Sequence, residues 1–351
     1  MAETNSINET TDYPYNYTDD YEDEMCYRTN INKFRAIFIP VFFSIVVILS
    51  LFGNILVIVI LSKYENLKSL TNAFILNLAM SDLLFTAGLP FWAYSHMYGW
   101  TLGEPACKIV NFVFYIGFYS SGIVLILMTI HRYVAVMNPF SDIVSTKGFY
   151  SVLASVMIWA VSILVASPAF VFTKVMNTDS DQNICDYNDS YGKLWGIYQQ
   201  NILFLVSSVV FVFCYSLIIY RLLRPTAQRR KNKTLKLIFI LMVVFFVTWG
   251  PYNIVIFLNS SSYFQKPPVK SSDTISACEK DTQQQYTISV SRFLAYSHCC
   301  LNPVFYVFVG VKFKNHLKKM MKSLGHRNTS IRSRHSRLTI TSLTGGEELS
   351  M

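Results

Sequence analysis

Seven long stretches of apolar residues follow one another along the chain, separated by short polar connections. They are Ala36–Leu61, Thr71–Met97, Ile109–Ile130, Phe149–Thr173, Leu194–Tyr220, Leu237–Tyr263 and Tyr286–Val311. Each is longer than the roughly 20 residues that a helix needs to cross a bilayer. The stretches lack the alternation of apolar and polar residues that a membrane β-barrel requires, and a helix satisfies its own backbone in lipid. We therefore predict an all-α membrane protein, a seven-transmembrane helix bundle.

The same pattern divides the chain into four segments. We predict an acidic N-terminal tail at 1–34, the seven-helix domain at 35–311 and a Ser/Thr-rich cytoplasmic tail at 323–351. Residues 312–322 alternate apolar and basic side chains at helical spacing, which is typical of an amphipathic helix at the membrane surface. The N-terminal tail lacks the basic and then apolar order of a signal peptide, so we expect the first helix to act as the signal anchor.

Charge gives the bundle an orientation. Only 15% of the residues are charged, but their net charge is +9, which on a soluble protein would favour nucleic acid as a partner. The connections after helices one, three and five and the C-terminal tail hold 20 Lys and Arg against 4 Asp and Glu, whereas the other connections and the N-terminal tail hold 9 against 16. Cytoplasmic segments carry the excess of Lys and Arg. We therefore predict a plasma-membrane protein with an extracellular N-terminus, basic contacts to membrane lipid and no nucleic-acid partner.

The cysteines and glycosylation triplets agree with this orientation. Three of the seven cysteines lie inside apolar stretches, where a thiol behaves as a small apolar group. The other four fall on the predicted outer side: Cys26, Cys107, Cys185 and Cys278. An oxidising exterior permits disulfides, and four cysteines allow three pairings. We predict glycosylation at the outer Asn-x-Ser/Thr triplets that begin at Asn8, Asn16 and Asn188.

Two ionisable residues interrupt the apolar stretches, where charge is costly and therefore marks functional candidates. Asp82 lies halfway along the second stretch and either organises hydrogen bonds or holds a sodium ion or a proton. Its predicted polar neighbours are Asn54, Ser121 and Asn302. Arg292, near the outer end of the seventh stretch, either reaches the lipid headgroups or faces a wet cavity that receives an anionic partner. Apart from an allosteric sodium ion, we predict no cofactor and no metal.

Short motifs occur in the order of the stretches. They are Gly53-Asn54, Leu78 to Asp82, Cys107, His131-Arg132-Tyr133, Trp159, Trp249 to Pro251, and Asn302-Pro303 to Tyr306. This series resembles the rhodopsin-like G-protein-coupled receptors. Within them, the segments Leu89 to Trp92, Trp100 to Cys107 and Ala295 to Pro303 are similar to those of the chemokine receptors.

Three departures from the chemokine-receptor pattern narrow this resemblance. His131 stands where the family motif has Asp, Arg292 stands where relatives commonly have Glu, and Ser207 lies near the position of a missing proline in helix five. In these respects the sequence is similar to the XC-type (lymphotactin) receptors, and a CC-type receptor is the nearest alternative. The resemblance implies two disulfides, Cys107–Cys185 and Cys26–Cys278.

The resemblance implies a receptor that binds an extracellular chemokine and activates inhibitory-class heterotrimeric G proteins, giving calcium mobilisation and chemotaxis. Opposite charge would steer a basic ligand to the acidic tail first. The tail residues expected to bind it, with the tyrosines as candidates for sulfation, are Tyr13, Tyr15, Tyr17, Asp19, Asp20, Tyr21, Glu22 and Asp23. The ligand's N-terminus would then enter the bundle between Trp92, Phe114, Tyr252, Gln284 and Arg292.

The resemblance also assigns the inner half of the bundle to coupling. The residues expected to switch or to contact the G protein are His131, Arg132, Tyr133, Tyr215, Trp249, Pro251, Asn302, Pro303 and Tyr306. The hydroxyls of the C-terminal tail would be phosphorylated by receptor kinases, which creates an anionic site for arrestin.

Three other classes of protein stay as alternatives. A seven-helix transporter would need internal repeats or paired broken helices, and the sequence shows neither. An intramembrane enzyme at His298, Cys299 and Cys300 would need converging side chains, but neighbours on a helix point in different directions. We therefore expect no enzyme activity. A scavenging chemokine receptor that does not signal is favoured by His131 and opposed by Arg132 and Tyr306.

Overall fold

The computed structural model describes residues 19–138, 148–177, 183–223, 233–262, 274–309, 313–320 and 322. The helices are α1 (Asp19–Tyr64), α2 (Leu70–Tyr98), α3 (Gly103–Met137), α4 (Gly148–Phe172), α5 (Ser190–Leu222), α6 (Lys233–Ser262), α7 (Thr274–Tyr296) and α8 (His298–Val309). The strands are β1 (Thr173–Asn177) and β2 (Asn183–Tyr187). A further helical segment, α9, covers residues 313–320.

The first six helices each contain a segment that is long and apolar enough to cross a membrane. The seventh predicted stretch is divided at Ser297 between α7 and α8. A proline inside α8, Pro303, lacks the N–H that would bond the carbonyl of Cys299, so the helical ladder is weakened next to this division. The predicted seven-helix bundle is confirmed, with a seventh span made of two pieces.

α3 is the central helix of the bundle. Of its most apolar window 67% is buried, against 22% for α4 and for α5, whose apolar faces are left for lipid. Gly117 lets α3 approach α2 closely, because a Cβ at this position would lie 2.3 Å from the backbone nitrogen of Phe85 and 2.7 Å from the carbonyl oxygen of Ser81. The absence of a side chain at Gly117 therefore sets the distance between α2 and α3.

Polar side chains connect the helices where lipid offers no partner. Asn77 on α2 donates from Nδ2 to the hydroxyl of Ser155 on α4 over 2.7 Å. Its Oδ1 accepts from the indole nitrogen of Trp159 over 2.9 Å. One amide thus satisfies two α4 side chains, which explains the tryptophan in the fourth stretch.

The helices at the two ends of the described chain, α1 and α9, extend beyond the predicted apolar stretches. α1 begins at Asp19 and therefore continues about 17 residues beyond the apolar stretch on the outer side. After α8, the segment α9 follows the last span, as predicted from its alternating apolar and basic residues. Phe313 of α9 packs on Tyr306 of α8 with ring centroids 6.3 Å apart. This contact fastens α9 to the inner end of the bundle.

Candidate functional site

A β-hairpin lies against the outer end of α3. β1 and β2 pair antiparallel, with Val175 opposite Cys185. Cys185 forms a disulfide with Cys107 at the start of α3, which confirms one of the two implied pairings. Asn111 donates from Nδ2 to the sulfur of Cys185 over 3.0 Å. The hairpin is therefore attached to α3 both covalently and by a hydrogen bond.

An aromatic cluster occupies the outer half of the bundle. Trp92 of α2 contacts Phe114 of α3 with ring centroids 6.3 Å apart, and Phe114 contacts Tyr296 of α7 at 5.5 Å. Gly88 makes room for Phe114, since a Cβ there would lie 3.0 Å from the phenyl ring. The indole nitrogen of Trp92 is buried without a hydrogen-bond partner. The structure thus brings together two residues that we predicted to line a ligand cavity and leaves one donor for a ligand.

Arg292 reaches the same cluster from α7. Its guanidinium lies beside the hydroxyls of Tyr115, Tyr252 and Tyr296, and Tyr252 is within hydrogen-bonding reach. The Nε atom is buried without a hydrogen-bond partner, while the side chain as a whole stays partly exposed. None of the described ion pairs includes this residue. A largely desolvated cation without a counter-charge is unfavourable, so an incoming anion would find a prepared partner.

The sequence identified Tyr252 but not the other tyrosines around Arg292. Tyr187 of β2 hydrogen-bonds Tyr115, and burial raises the pKa of Tyr187 to about 12, which keeps its hydroxyl protonated. Tyr115, Tyr187 and Tyr296 come from three different elements, so no spacing along the chain announces them. Gln284 is exposed and lies about 12 Å farther out along α7 than Arg292. Gln284 therefore lies near the outer opening of the bundle and is not part of the aromatic cluster.

Trp249 of α6 lies immediately inside this cluster. Its ring is 1% exposed and contacts Phe118 at 4.6 Å, Tyr252 at 6.0 Å and His298 at 5.1 Å between centroids. Its indole nitrogen has no hydrogen-bond partner. A rotation of Trp249 would therefore disturb the packing of α3, α6 and α8 without breaking a hydrogen bond, which suits the switch role that we predicted.

Asp82 is fully buried at the centre of the bundle. Its Oδ2 accepts from Nδ2 of Asn302 over 2.8 Å, and its Oδ1 accepts from the hydroxyl of Ser121 over 3.4 Å. His298, which we did not predict here, places Nε2 3.6 Å from Oδ1, while its Nδ1 donates to the carbonyl of Ala295. His298 lies four residues before Asn302, on the same helix face, and this spacing was the signal that could have identified it.

Asn54 has a different contact from the one we predicted, since its amide donates not to Asp82 but to the carbonyl of Cys299 over 2.9 Å. This carbonyl is the one that Pro303 leaves without its helical donor. Asn54 therefore repairs the proline interruption in α8. Its Oδ1 is buried without a partner.

The donor set around Asp82 suits a hard cation. The Asp82 carboxylate and the Ser121 hydroxyl, which donates to it over 3.4 Å, are oxygen donors of the class that such cations prefer. Within the described ranges, no group of three or more His, Cys, Asp and Glu side chains could hold a metal ion. The allosteric sodium ion stays a prediction.

Arg132 at the inner end of α3 is held from α2. Its Nη2 donates to the hydroxyl of Thr71 over 2.8 Å, and its Nε is buried without a partner. His131 turns away from it and packs its ring edge-on against Phe74, with centroids 6.0 Å apart. No described ion pair includes Arg132. A neutral hydroxyl on α2, instead of an acidic neighbour, therefore accepts the hydrogen bond of Arg132.

The other predicted switch residues surround this inner end. Tyr215 lies close to Arg132, and its hydroxyl and that of Tyr306 are buried without partners. Tyr133 packs on Phe213 with centroids 6.2 Å apart. Pro251 lies farther out, inside α6 and two residues after Trp249. The unpartnered hydroxyls of Tyr215 and Tyr306 are groups that a different helix packing could join.

Several predicted residues lie outside the part that is described. Positions 1–18, which include Asn8, Tyr13, Tyr15, Asn16 and Tyr17, are not described, nor is 323–351. For Asp19, Asp20, Tyr21, Glu22, Asp23, Cys26 and Cys278 only the helical backbone is described. The Cys26–Cys278 pairing stays a prediction. Asn188 is described and exposed between β2 and α5, where a glycan could be attached.

Comparisons with known proteins cover most of the chain. Residues 53–306 match the family described as 7 transmembrane receptor (rhodopsin family). The chain is 42% identical over 289 residues to Chemokine XC receptor 1 of Homo sapiens, covering 82% of this chain and 83% of that protein. It is 41% identical to the Mus musculus protein of that name, covering 87% and 90%. C-C chemokine receptor type 3 of Cavia porcellus is 35% identical, covering 92% and 88%.

Proposed function

The chain belongs to the chemokine receptors of the rhodopsin family, and we propose that its extracellular ligand is an XC-type chemokine. Ligand binding activates an inhibitory-class heterotrimeric G protein and leads to calcium mobilisation and chemotaxis. Membership of this family makes the chain a multi-pass plasma-membrane receptor and not an enzyme, and it removes the transporter alternative.

The main support for this proposal is the position of Arg292 among the tyrosine hydroxyls. Where relatives commonly have an acidic residue that meets a cationic group, this chain presents a guanidinium without an acidic partner among the described residues. A guanidinium binds carboxylates and carbonyl oxygens with several directed hydrogen bonds. The part of the ligand that enters the bundle therefore carries an oxygen anion or a carbonyl to Arg292, and the ligand differs from those of receptors with Glu there.

The substitution Arg292→Glu tests this role. It places a carboxylate among the tyrosine hydroxyls and repels an anionic ligand group, so we expect the response to XC-type chemokine to fall by at least tenfold in potency. The affinity of the acidic N-terminal tail for the chemokine should change by less than about threefold, because the tail and Arg292 make separate contacts with the ligand. Calcium release and equilibrium binding are measured in the same cells.

A matched control is Lys108→Glu, which makes the same change in net charge at the outer end of α3, where Lys108 pairs with Glu104 over 2.8 Å. Its response should stay near that of the wild type. Wild-type signalling by Arg292→Glu would contradict the assignment of Arg292 to ligand recognition.

The acidic tail is proposed as the first contact. Neutralising Asp19, Asp20, Glu22 and Asp23 to their amides removes four charges that steer a basic ligand, so association should slow at low salt and lose most of its salt dependence. Stopped-flow association rates measure this effect. An unchanged rate at low ionic strength would remove the steering step while leaving the recognition at Arg292 untouched.

The remaining partners are proposed from the family and from the inner surface. Arg132 contacts the G protein once the inner half of α6 moves outward about Pro251, while Trp249, Tyr215 and Tyr306 rearrange. Receptor kinases phosphorylate the C-terminal tail, and arrestin binds the product. Asp82, Asn54, Ser121 and Asn302 hold an allosteric sodium ion, which would stabilise one packing of the bundle by supplying a central positive charge. We propose glycans at Asn8, Asn16 and Asn188.

A CC-type ligand and a non-signalling scavenging role are the competing functions. The relatives include C-C chemokine receptors at 34–35% identity, and His131 alters the coupling motif. Cells that express the chain are exposed to panels of XC-type and CC-type chemokines, and calcium release, cAMP suppression and ligand uptake are measured together. Uptake without calcium release or cAMP suppression would replace the signalling proposal with scavenging, and a response to CC-type ligands alone would replace the ligand assignment.

A further inference from the structure

A cleft lies where α9 meets the inner end of α1, and none of the predicted switch residues lines it. Its volume is about 540 Å³, and its lining residues are Tyr64, Glu65, Asn315, His316, Lys318 and Lys319. The basic inner connections place this end of α1 at the cytoplasmic face, and α9 is an amphipathic segment at the same surface. The cleft therefore opens at the level of the inner-leaflet headgroups.

The one acidic residue of the cleft, Glu65, is already engaged by neighbours other than the lysines. Its Oε1 accepts from Nε2 of His316 over 3.0 Å, and its Oε2 accepts from Nδ2 of Asn72 over 3.2 Å. Lys318 and Lys319 form none of the ion pairs found in the described part of the chain. Two ammonium groups thus remain without a described acidic partner at the rim.

His316 adds a third group and a fixed geometry. Its ring stacks on Tyr64, with centroids 5.2 Å apart and an angle of 11° between the planes. Because Nε2 donates to Glu65, the remaining ring nitrogen is Nδ1, which is buried without a hydrogen-bond partner. Lys63 lies 5.5 Å from the centroid of the Tyr64 ring and adds positive charge on that side. The imidazole is therefore held in place and offers one unused polar atom.

We propose that this cleft binds the phosphomonoester headgroup of an anionic lipid in the cytoplasmic leaflet. Lys318 and Lys319 contact the phosphate oxygens, and His316 bridges Glu65 and the phosphate through its two ring nitrogens. A phosphomonoester carries between one and two negative charges and three strong acceptor oxygens near neutral pH, which matches two ammonium groups and one imidazole better than a phosphodiester does. The bound lipid would join α9 to the end of α1.

The test uses the full-length receptor in phosphatidylcholine nanodiscs. A fluorescent phosphatidylinositol bisphosphate is the probe, and phosphatidylserine and inorganic phosphate are separate competitors. Wild type should prefer the probe over phosphatidylserine by at least tenfold. The double variant Lys318→Gln/Lys319→Gln should lose that preference. The matched control Lys314→Gln/Lys322→Gln removes the same charge from exposed positions outside the cleft and should keep it.

Each outcome decides the proposal. Retained preference in the control and its loss in the cleft variant support a built site. Equal losses in both double variants would reduce the effect to surface charge and overturn the proposal, as would a wild type without preference. Displacement of the probe by inorganic phosphate as efficiently as by unlabelled lipid would assign the site to soluble phosphate instead. Binding is the readout, so none of these results depends on the identity of the chemokine.

Discussion

Among the described residues, the hydroxyl of Thr71 is the side-chain group that accepts a hydrogen bond from Arg132, and removing this acceptor tests what the bond does. Thr71→Val keeps the shape of the side chain and deletes the hydroxyl. A hydrogen bond to a charged group contributes about 1.5–3 kcal/mol. If the bond exists only in the packing seen here, its loss shifts the equilibrium towards the signalling packing by roughly tenfold or more. A resting active population of about 1% would rise to about 10%.

The assay is basal activation of an inhibitory-class G protein, measured as GTP-analogue binding in membranes with matched surface expression. The control is Thr129→Val, which makes the same substitution on α3 at a hydroxyl that bonds only the carbonyl of Leu125 in its own helix. We expect a several-fold higher basal signal for Thr71→Val and an unchanged basal signal for Thr129→Val. The maximal response to ligand should be retained by both variants.

Two results would refute this reasoning. A basal signal of Thr71→Val equal to that of the wild type would show that the Arg132–Thr71 bond does not distinguish the resting from the signalling packing. An equal rise in Thr129→Val would show that loosened packing, not loss of the arginine contact, raises the output.

Two further substitutions test the coupling motif and the packing of α2 on α3. His131→Asp places a carboxylate next to Arg132 and should therefore lower basal G-protein activation severalfold. The same membrane assay measures this effect. Basal activation equal to or higher than that of the wild type at matched expression would contradict the prediction. Gly117→Ala brings a Cβ to 2.3 Å from a backbone atom of α2 and should cost about 3 kcal/mol, lowering the melting temperature of purified receptor by roughly 6–12 °C. Gly250→Ala, whose Cβ would meet only Phe204 at 3.6 Å, is its control and should be neutral or stabilising; a Gly117 variant as stable as this control would disprove the close approach.

The architecture could be predicted because lipid imposes one requirement on every span. A single segment satisfies its backbone hydrogen bonds in hydrocarbon by forming a helix of about 20 apolar residues. Length and composition are therefore sufficient to predict each span. The division of the seventh span at Ser297 could not be predicted in the same way. A proline in a membrane helix bends or interrupts it according to which neighbouring side chain takes the freed carbonyl, and here that side chain is Asn54 on α1.

The central polar cluster shows a second limit of the same kind. Asp82 and Asn302 could be paired in advance because an intramembrane acid needs a hydrogen-bond donor and few are present. Asn54 was assigned to the same acid by that logic, but the carbonyl of Cys299 competes for its amide. From the sequence, His298 is considered only as a possible partner of a nucleophile. Its spacing of four residues from Asn302 is what places it next to Asp82. Sequence thus identifies which polar groups need partners, whereas packing decides how they are paired.

Two of the three departures that distinguish this chain in sequence, His131 and Arg292, share one physical consequence in the structure. Arg292 and Arg132, at opposite ends of the bundle, both lack an acidic partner among the described ion pairs. Each is held by hydroxyls instead, from tyrosines at the outer end and from Thr71 at the inner end. A hydroxyl orients a guanidinium without neutralising it, so each arginine keeps its charge for a partner that carries an anion. In the function that we propose, the outer arginine is thereby prepared for the ligand and the inner one for the G protein, and both exchange a weak internal contact for a stronger external one.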